Sequence, residues 1–93
     1  MISFIVPGLN EKDNIISTII EIENSCKISK LLEYEILFVD DGSTDGSSLE
    51  VEKYESEFKK NIKIIKNKKN HGYGASIKIG ASIATKKNIC WVP

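Results

Sequence analysis

Short apolar runs alternate along the chain with segments in which apolar residues recur every three or four positions. The apolar runs are rich in β-branched residues and predict buried strands, whereas the recurring pattern predicts amphipathic helices. The predicted strands are Ile2 to Val6, Ile36 to Val39, Ile62 to Ile65 and Ile89 to Val92. The predicted helices run from Asn14 through Cys26, from about Ser47 to Lys59 and from Ala75 to Thr85. The chain therefore has the order β-α-β-α-β-α-β.

Short apolar strands that alternate with helices predict an α/β fold with a doubly wound parallel sheet of the Rossmann-like type. Right-handed crossovers place the first two helices on one face of the sheet and the third helix on the other. The chain moves outward from the first strand and then returns to its other side. Ligands of such folds bind in the crevice at this reversal, beyond the carboxyl ends of the strands. We therefore expect a site there.

The composition of the chain argues against some classes of function. The chain has 93 residues, enough for one small domain or part of one, and its 13 basic residues, all lysines, balance 13 acidic residues. A nucleic-acid binder shows a basic excess, so we expect no nucleic-acid partner. No apolar run reaches the roughly 20 residues that cross a bilayer, so we expect no membrane segment in this chain. Because arginine is absent, phosphate would be held by lysine, backbone amides or a metal ion.

The two cysteines, Cys26 and Cys90, form neither a CxxC pair nor a spacing suited to zinc. We interpret both as buried apolar side chains of a reduced, cytoplasmic protein. Asp13 or Asn10 is expected to cap the first helix.

Three segments with unusual polar and glycine content fall at the expected site: Pro7 to Glu11, Asp40 to Asp45 and Asn70 to Gly74. Asp40 and Asp41 follow a wholly apolar strand, and adjacent carboxylates repel each other unless a cation or a hydrogen-bond donor lies close. A nucleobase imide N–H, ribose hydroxyls or a metal diphosphate would each supply such a partner. Glu11 would lie within reach of a ribose.

Each of these features also has a purely structural interpretation. Taken alone, Asp40-Asp41-Gly42 is better explained as a turn, with Ser43, Thr44 and Asp45 capping the next helix.

Gly72 and Gly74 do not fit the dinucleotide pattern G-x-G-x-x-G, because the next glycine is Gly80 and the element follows the third strand. They are interpreted either as ordinary loop glycines or as residues that let the loop approach a bound nucleotide and let the third helix pack tightly on the sheet. Lys78 and His71 are expected to be solvated.

Together, the three segments resemble family 2 glycosyltransferases, and the resemblance covers essentially the whole chain. The residues that carry it are Ser3-Phe4-Ile5-Val6-Pro7-Gly8-Leu9-Asn10-Glu11, Glu35-Ile36-Leu37-Phe38-Val39-Asp40-Asp41-Gly42-Ser43-Thr44-Asp45-Gly46-Ser47 and Asn70-His71-Gly72-Tyr73-Gly74-Ala75.

The resemblance implies a GT-A fold that binds a UDP- or GDP-linked sugar and inverts the anomeric centre in a single displacement. Asp41 would accept a hydrogen bond from the base imide, beside Val39, and Asp40 would support the site. The segment Asn70 to Ala75 is similar to the subgroup that glycosylates polyprenyl phosphates; a polysaccharide is the other acceptor considered. The implied nucleotide-binding residues are Pro7, Leu9, Glu11, Val39, Asp40, Asp41, Gly72 and Gly74.

One departure from the family pattern concerns the metal. The family places an Asp-x-Asp motif that binds Mg²⁺ or Mn²⁺ directly after the fourth strand, where this sequence has Val92-Pro93. We therefore interpret residues 1–93 as the N-terminal, nucleotide-sugar-binding part of an incomplete glycosyltransferase domain. Because the departing diphosphate needs its charge neutralised, this chain is expected to be inactive alone, with no catalytic residue or metal ligand of its own. The open edge of the fourth strand would invite self-association.

Two other classes of protein share part of this pattern. A non-catalytic nucleotide-binding or interaction module would keep the crevice alone; an in-frame Asp-x-Asp shortly beyond residue 93 would favour the enzyme instead. A receiver-like signalling domain needs an acidic pair after its first strand and an aspartate after its third strand. This chain has Lys66-Asn67 after the third strand, so the sequence disfavours this class.

Overall fold

The computed structural model describes residues 1–58 and 61–92. Lys59, the expected end of the second helix, and Pro93 lie outside the described residues. The elements are β1 (Ile2–Gly8), α1 (Ile15–Ile28), β2 (Tyr34–Asp40), α2 (Ser47–Phe58), β3 (Ile62–Lys66), α3 (Tyr73–Ile83) and β4 (Asn88–Trp91). The expected alternation of strands and helices is confirmed.

The four strands form one parallel sheet in the order β3-β2-β1-β4. This order is that of a doubly wound sheet, so the predicted α/β fold is confirmed. Gly8 pairs with Asp40 and Asp40 pairs with Lys66, so β1, β2 and β3 end at the same level. The loops that follow these three strands therefore leave one edge of the sheet side by side.

The helices cover both faces of the sheet. Successive strand residues point to opposite faces, so Val6 and Phe38 pack under α1 and α2, whereas Ile5, Leu37 and Val39 pack under α3. The larger cluster consists of Val6, Ile15, Ile19, Ile22, Cys26, Ile36, Phe38, Val51 and Ile62. The first two helices and the third thus lie on opposite faces, as right-handed crossovers require.

The close packing of α3 depends on Gly80. A Cβ atom at this position would lie 2.6 Å from Cγ2 of Ile5 and 3.3 Å from Cγ2 of Val39. The sequence analysis assigned tight packing to Gly72 and Gly74, which is wrong: these residues lie before and within the first turn of α3, where a Cβ would meet nothing described within 4 Å.

β1 extends through Pro7 and Gly8, beyond the expected end at Val6. The carbonyl of Gly8 accepts from the N–H of Asp41 on the β2 side, whereas the carbonyl of Ile5 accepts from the N–H of Val92 on the β4 side. Because backbone groups of successive residues face alternate sides of a strand, the position of the missing N–H of Pro7 faces β4. The pairing of β1 with β4 ends at Ile5. Among the described residues, therefore, no ladder hydrogen bond is lost at this proline.

The edge strand β4 corrects one expectation about burial. Cys90 is exposed rather than buried, and Ile89 and Trp91 are also exposed, because no described residue covers the outer side of β4. Cys26 is buried as expected, in the core beneath α1. The apolar residues Leu49 and Phe58 of α2 are likewise exposed.

A buried polar network lies at the amino-terminal end of the sheet. Oε2 of Glu35 accepts hydrogen bonds from the Ser3 hydroxyl at 2.6 Å, and from the N–H of Thr85 at 2.7 Å and its hydroxyl at 2.9 Å. Oε1 of Glu35 lies 3.0 Å from Nζ of Lys63. This carboxylate therefore ties the end of α3 to β1, β2 and β3.

Over residues 1–58 and 61–92, the structure contains no helix with the length and apolar character needed to cross a membrane.

Candidate functional site

A cavity of about 400 Å³ opens at the carboxyl ends of the strands. It lies between the loop that follows β1 and the first turn of α3, with the residue after β2 between them. Its lining consists of Pro7, Gly8, Leu9, Glu11, Asp41, Asn70, Gly72, Tyr73 and Ser76. The cavity thus lies where a doubly wound sheet binds its ligand.

A larger hollow of about 580 Å³ lies elsewhere, against α1 and α2, and is lined in part by Leu31, Leu32 and Phe58. Tyr54, which also lines it, donates a hydrogen bond to Glu23 at 2.5 Å across the two helices. We assign the site to the smaller cavity, because it collects the strand-end loops and their polar groups.

Asp41 is the buried charged group of the cavity. Its Oδ1 accepts from Nδ2 of Asn67 at 3.0 Å and from the N–H of His71 at 2.8 Å, and its Oδ2 accepts from the N–H of Gly72 at 2.9 Å. Burial raises the pKa of Asp41, but these hydrogen bonds, with a contribution from the nearby Ser76 hydroxyl, outweigh it and lower the pKa. An ionised carboxylate therefore holds the loop that enters α3.

The Ser76 hydroxyl is buried beside this carboxylate. It lies close enough to lower the pKa of Asp41, yet it forms no hydrogen bond of ordinary geometry within the described part of the chain. This hydroxyl therefore lines the cavity beside the carboxylate.

Gly72 allows the loop to reach Asp41. Its φ angle is 92°, in the left-handed region that favours glycine, and it directly precedes α3. In this conformation its N–H donates to Asp41.

Asp40 points away from the cavity, because neighbouring residues at a strand end face opposite sides of the sheet. Its Oδ1 accepts from the N–H of Ser43 at 2.8 Å, and its Oδ2 accepts from the Ser48 hydroxyl. The two aspartates thus have separate donors, which removes the expected repulsion between them. Asp40 organises the turn that leads into α2.

Residues 41–46 form the connection between β2 and α2, and they also carry Asp41 into the cavity lining. Asp45 accepts from the N–H of Ser47, two residues on, at 3.0 Å, which is an Asx turn that leads into α2 rather than the expected cap. Asp41 meanwhile lines the cavity from the same turn.

The loop after β1 is fixed against this turn. The N–H of Asn10 donates to the Ser43 hydroxyl at 2.8 Å, and Oδ1 of Asn10 accepts from the N–H of Thr44 at 2.9 Å. Asn10 therefore does not cap α1, as the sequence analysis had considered. Asp13 does not either: the residue before α1 is Asn14, and the structure shows no side-chain cap there.

The structure brings together Pro7, Leu9, Glu11, Asp41 and Gly72, all of which line the cavity. Three other nucleotide-binding residues that the family resemblance implies do not line the cavity: Val39, Asp40 and Gly74.

Val39 is fully buried in the core under α3 and does not line the cavity. Gly74 lies in the first turn of α3, outside the cavity lining. A binding role for any of the eight residues stays a prediction.

Four cavity residues were missed: Gly8, Asn70, Tyr73 and Ser76. Gly8 and Asn70 lie within the segments that the sequence analysis singled out, and a Cβ at Gly8 would lie 2.9 Å from Cε1 of Phe38. Tyr73 is a half-exposed aromatic residue between two glycines, which was an available clue. Ser76 could be found only from the tertiary structure.

The residues present do not fit a metal ion. Among those that the structure describes, no group of three or more His, Cys, Asp or Glu side chains could hold one. We therefore derive no step through a metal from this chain.

Fold and cavity together define an open, parallel α/β domain with a cavity at its topological switch point. Comparison with known proteins gives the family. The model of glycosyl transferase family 2 matches residues 3–92, and the chain belongs to this family. The resemblance found from the sequence is thereby confirmed.

Relatives are considerably longer than this chain. The dolichyl-phosphate beta-glucosyltransferase of Dictyostelium discoideum is 33% identical over 84 residues, which cover 85% of this chain and 26% of the relative. The structure of S. aureus TarS (residues 1–349) in complex with UDP is similar with a TM-score of 0.76 and 30% identity, over 98% of this chain and 26% of that one.

The mannosyltransferase PcManGT from Pyrobaculum calidifontis, solved with GDP-Man and Mn²⁺, shares the fold with a TM-score of 0.66 and 22% identity, over 90% of this chain and 24% of that one. These comparisons do not support self-association through the edge of β4, and that expectation is not carried further.

Proposed function

We propose that the cavity binds the nucleoside end of a nucleoside-diphosphate sugar, as the donor site of an inverting glycosyltransferase. The observation that carries this proposal is the position of an ionised, buried Asp41 in a cavity at the carboxyl ends of the strands. The structure of TarS, which is similar to nearly the whole of this chain, contains bound UDP. This supports a nucleotide as the ligand.

The lining suits a nucleoside. Pro7, Leu9 and Tyr73 supply apolar and aromatic surface against which a base can pack. Asp41 supplies an acceptor for a base N–H inside the cavity. Glu11 is exposed, so its carboxylate can accept hydrogen bonds from ribose hydroxyls without the cost of burying a charge.

The acceptor and the metal belong to the whole protein. We propose a polyprenyl phosphate as the acceptor, on the similarity of residues 70–75 to that subgroup and on the name of the Dictyostelium relative. We propose Mg²⁺ or Mn²⁺ as the metal of the complete enzyme, with ligands outside the residues described; the Mn²⁺ bound to PcManGT supports this choice. A cytoplasmic location is part of the same proposal.

Binding of a nucleoside diphosphate to the 93-residue chain tests the donor site. Titration with UDP and GDP, followed by NMR chemical shifts, should move the resonances of residues that line the cavity for at least one of the two. Asp41→Asn should weaken this binding at least about tenfold, because a buried acceptor becomes a donor. The matched control is Asp13→Asn, which changes an exposed carboxylate outside the cavity and should leave affinity unchanged. If neither nucleotide shifts cavity resonances in the folded chain, the proposed function is wrong.

Sugar transfer tests the second part of the proposal. We expect the 93 residues alone to bind the donor without transferring its sugar, because the described side chains offer no group that could hold the metal. Metal-dependent release of UDP or GDP from the sugar donor by the isolated chain, in the presence of an acceptor, would contradict this expectation.

A further inference from the structure

The zero net charge of the chain hides a separation of charge along it. Residues 1–57 contain all 13 acidic residues and four lysines, which gives a net charge of −9. Residues 58–93 contain nine lysines and no acidic residue, which gives a net charge of +9. Charge asymmetry of this size between two parts of a chain indicates an anionic partner for the basic part.

The fold places the two kinds of charge on opposite faces of the sheet. The helices α1 and α2 cover one face and carry six glutamates, none of which is buried. The helix α3 covers the other face and carries no acidic residue. The carboxylates that β2 and the residue after it direct to this second face, Glu35 and Asp41, are only 1% and 5% exposed. These two carboxylates therefore present little charge to solvent on the face of α3.

Lysines lie on α3 and on the segments that flank it. Lys63 alternates along β3 with Ile65, which packs under α3, and its Nζ lies 3.0 Å from Glu35 on this face. The loop before α3, the helix itself and the turn after it supply five more: Lys68, Lys69, Lys78, Lys86 and Lys87. Four of these five are exposed, and none has an acidic partner among residues 1–58 and 61–92. We call α3 with these six lysines the basic face.

Exposed apolar and aromatic side chains lie on the basic face as well. Tyr73 and Ile83, at the two ends of α3, are 50% and 40% exposed. On β4, Trp91 pairs with Ile5, which packs under α3, so Trp91 points to the same face, and it is 55% exposed. Lysines combined with exposed tryptophan, tyrosine and aliphatic side chains are typical of surfaces at the membrane–water interface.

We propose that the basic face docks on a membrane surface that contains anionic phospholipids. The negative potential of such a surface attracts the lysines, and the acidic helices on the opposite side of the sheet stay in water. A flat bilayer fits better than a nucleic acid, because arginine is absent and apolar side chains lie among the lysines. Docking of this kind needs no membrane-spanning helix. The inference goes beyond the proposed function, and neither depends on the other.

Vesicle binding by the unaltered 93-residue chain tests the proposal. Vesicles of phosphatidylglycerol and phosphatidylcholine in equal parts should bind the chain at least about tenfold more tightly than phosphatidylcholine alone, since each lysine near an anionic surface contributes about fivefold. Trp91 is the single tryptophan, so its fluorescence should shift to shorter wavelength when the basic face meets the anionic vesicles. Equal binding to the two kinds of vesicle, or an unchanged Trp91 emission at saturation, overturns the proposal.

Two double variants with the same loss of charge separate the two faces. Lys69→Gln with Lys78→Gln removes two lysines of the basic face and should weaken binding to anionic vesicles at least about tenfold. Lys27→Gln with Lys53→Gln removes two exposed lysines from α1 and α2 and should weaken it less than about threefold. All four side chains are exposed, so both variants should fold, which circular dichroism checks. Equal losses in the two variants would show that net charge rather than the basic face drives binding, and would overturn the proposal.

Double-stranded DNA is the competing anionic partner. At the same salt concentration and the same concentration of phosphate groups, the chain should bind DNA more weakly than it binds the anionic vesicles. Tighter binding to DNA overturns the membrane surface as the partner. The titrations with UDP and GDP are separate measurements, so failure of membrane docking and failure of the proposed donor site are distinguishable.

Discussion

The two ends of the sheet each hold a buried carboxylate that secures a neighbouring segment. At the amino-terminal end, Glu35 is 1% exposed and binds residues of β1, β3 and the chain after α3. At the carboxyl-terminal end, Asp41 is 5% exposed and binds the loop before α3. Hydrogen bonds outweigh burial in both groups and lower both pKa values, that of Glu35 to about 2.

The difference lies in what each carboxylate faces. Three protein donors meet on a single oxygen of Glu35, and Lys63 lies against the other. Asp41 lines a cavity. Burial and a lowered pKa therefore do not distinguish a binding group from a structural one. The distinction comes from the space for a ligand beside the carboxylate.

The largest expected effect is on stability at the amino-terminal end. Glu35→Ala should lower the free energy of unfolding by about 3 kcal/mol, because it leaves the buried Ser3 hydroxyl and the Thr85 N–H without their acceptor and opens a cavity. Urea unfolding monitored by circular dichroism measures this change. Glu33→Ala, at an exposed position two residues earlier, should stay within about 0.5 kcal/mol. Similar losses in the two variants would show that the Glu35 network does not stabilise the fold.

Acid should remove the same contribution gradually. The folded-state pKa of Glu35 is about 2, below its ordinary value of 4.5, so the stabilisation is complete above pH 4.5 and is lost as the pH falls towards 2. The loss should be on the order of 3 kcal/mol, and the lowered pKa of Asp41 should add to it in the same direction. Unfolding free energies measured from pH 6 to pH 2 should fall less steeply in Glu35→Gln. Parallel curves for the variant and the unaltered chain would contradict the assignment.

The next effect separates the two ends by ligand binding. Asp41→Asn should cost about 1–2 kcal/mol of stability, since an amide nitrogen replaces one acceptor oxygen, and should weaken UDP binding at least about tenfold. Glu35→Gln should retain UDP affinity within about twofold at temperatures where it is folded, because Glu35 lies at the opposite end of the sheet. Calorimetric titration of both variants with UDP makes this comparison. Loss of UDP affinity in both would mean that the two ends are not independent.

The smallest effect concerns the two glycines at the cavity end. Gly72→Ala forces a non-glycine residue to a φ of 92° and should lower stability by about 1 kcal/mol or more. Gly74→Ala should raise stability by about 0.5–1 kcal/mol, since Gly74 lies within α3 and a Cβ there would meet nothing described within 4 Å. Thermal melting compares the two. A loss of UDP affinity in a folded Gly74→Ala chain would restore Gly74 to the binding residues.

Sequence reasoning predicted all seven elements in order, because hydrophobic periodicity is a local property. It also identified the three segments that meet at the cavity, because parallel strands end at a common edge. The element ends were less accurate: β1 continues through Pro7, and α3 begins at Tyr73 rather than Ala75. The end of β1 depends on where the neighbouring strand stops. The start of α3 depends on the hydrogen bond from the Gly72 N–H to Asp41.

Within the site, the sequence did not separate Asp40 from Asp41. Two adjacent aspartates at a strand end are equivalent in a linear motif, whereas in the fold they face opposite sides of the sheet. It also placed Val39 at the base, although an inward-facing residue of a central strand belongs to the core. Likewise, Cys26 is buried because it has a central position in the fold, and Cys90 is exposed because it lies on an edge strand.

The sequence alone thus determined the fold class, the family resemblance and the edge of the sheet that carries the site, since each follows from local patterns and from strand order. Tertiary structure alone decided which strand-end side chains face the cavity and that Ser76 joins them. Those properties depend on hydrogen bonds between residues about 30 positions apart, as between Asp41 and Gly72, and no local pattern encodes such bonds.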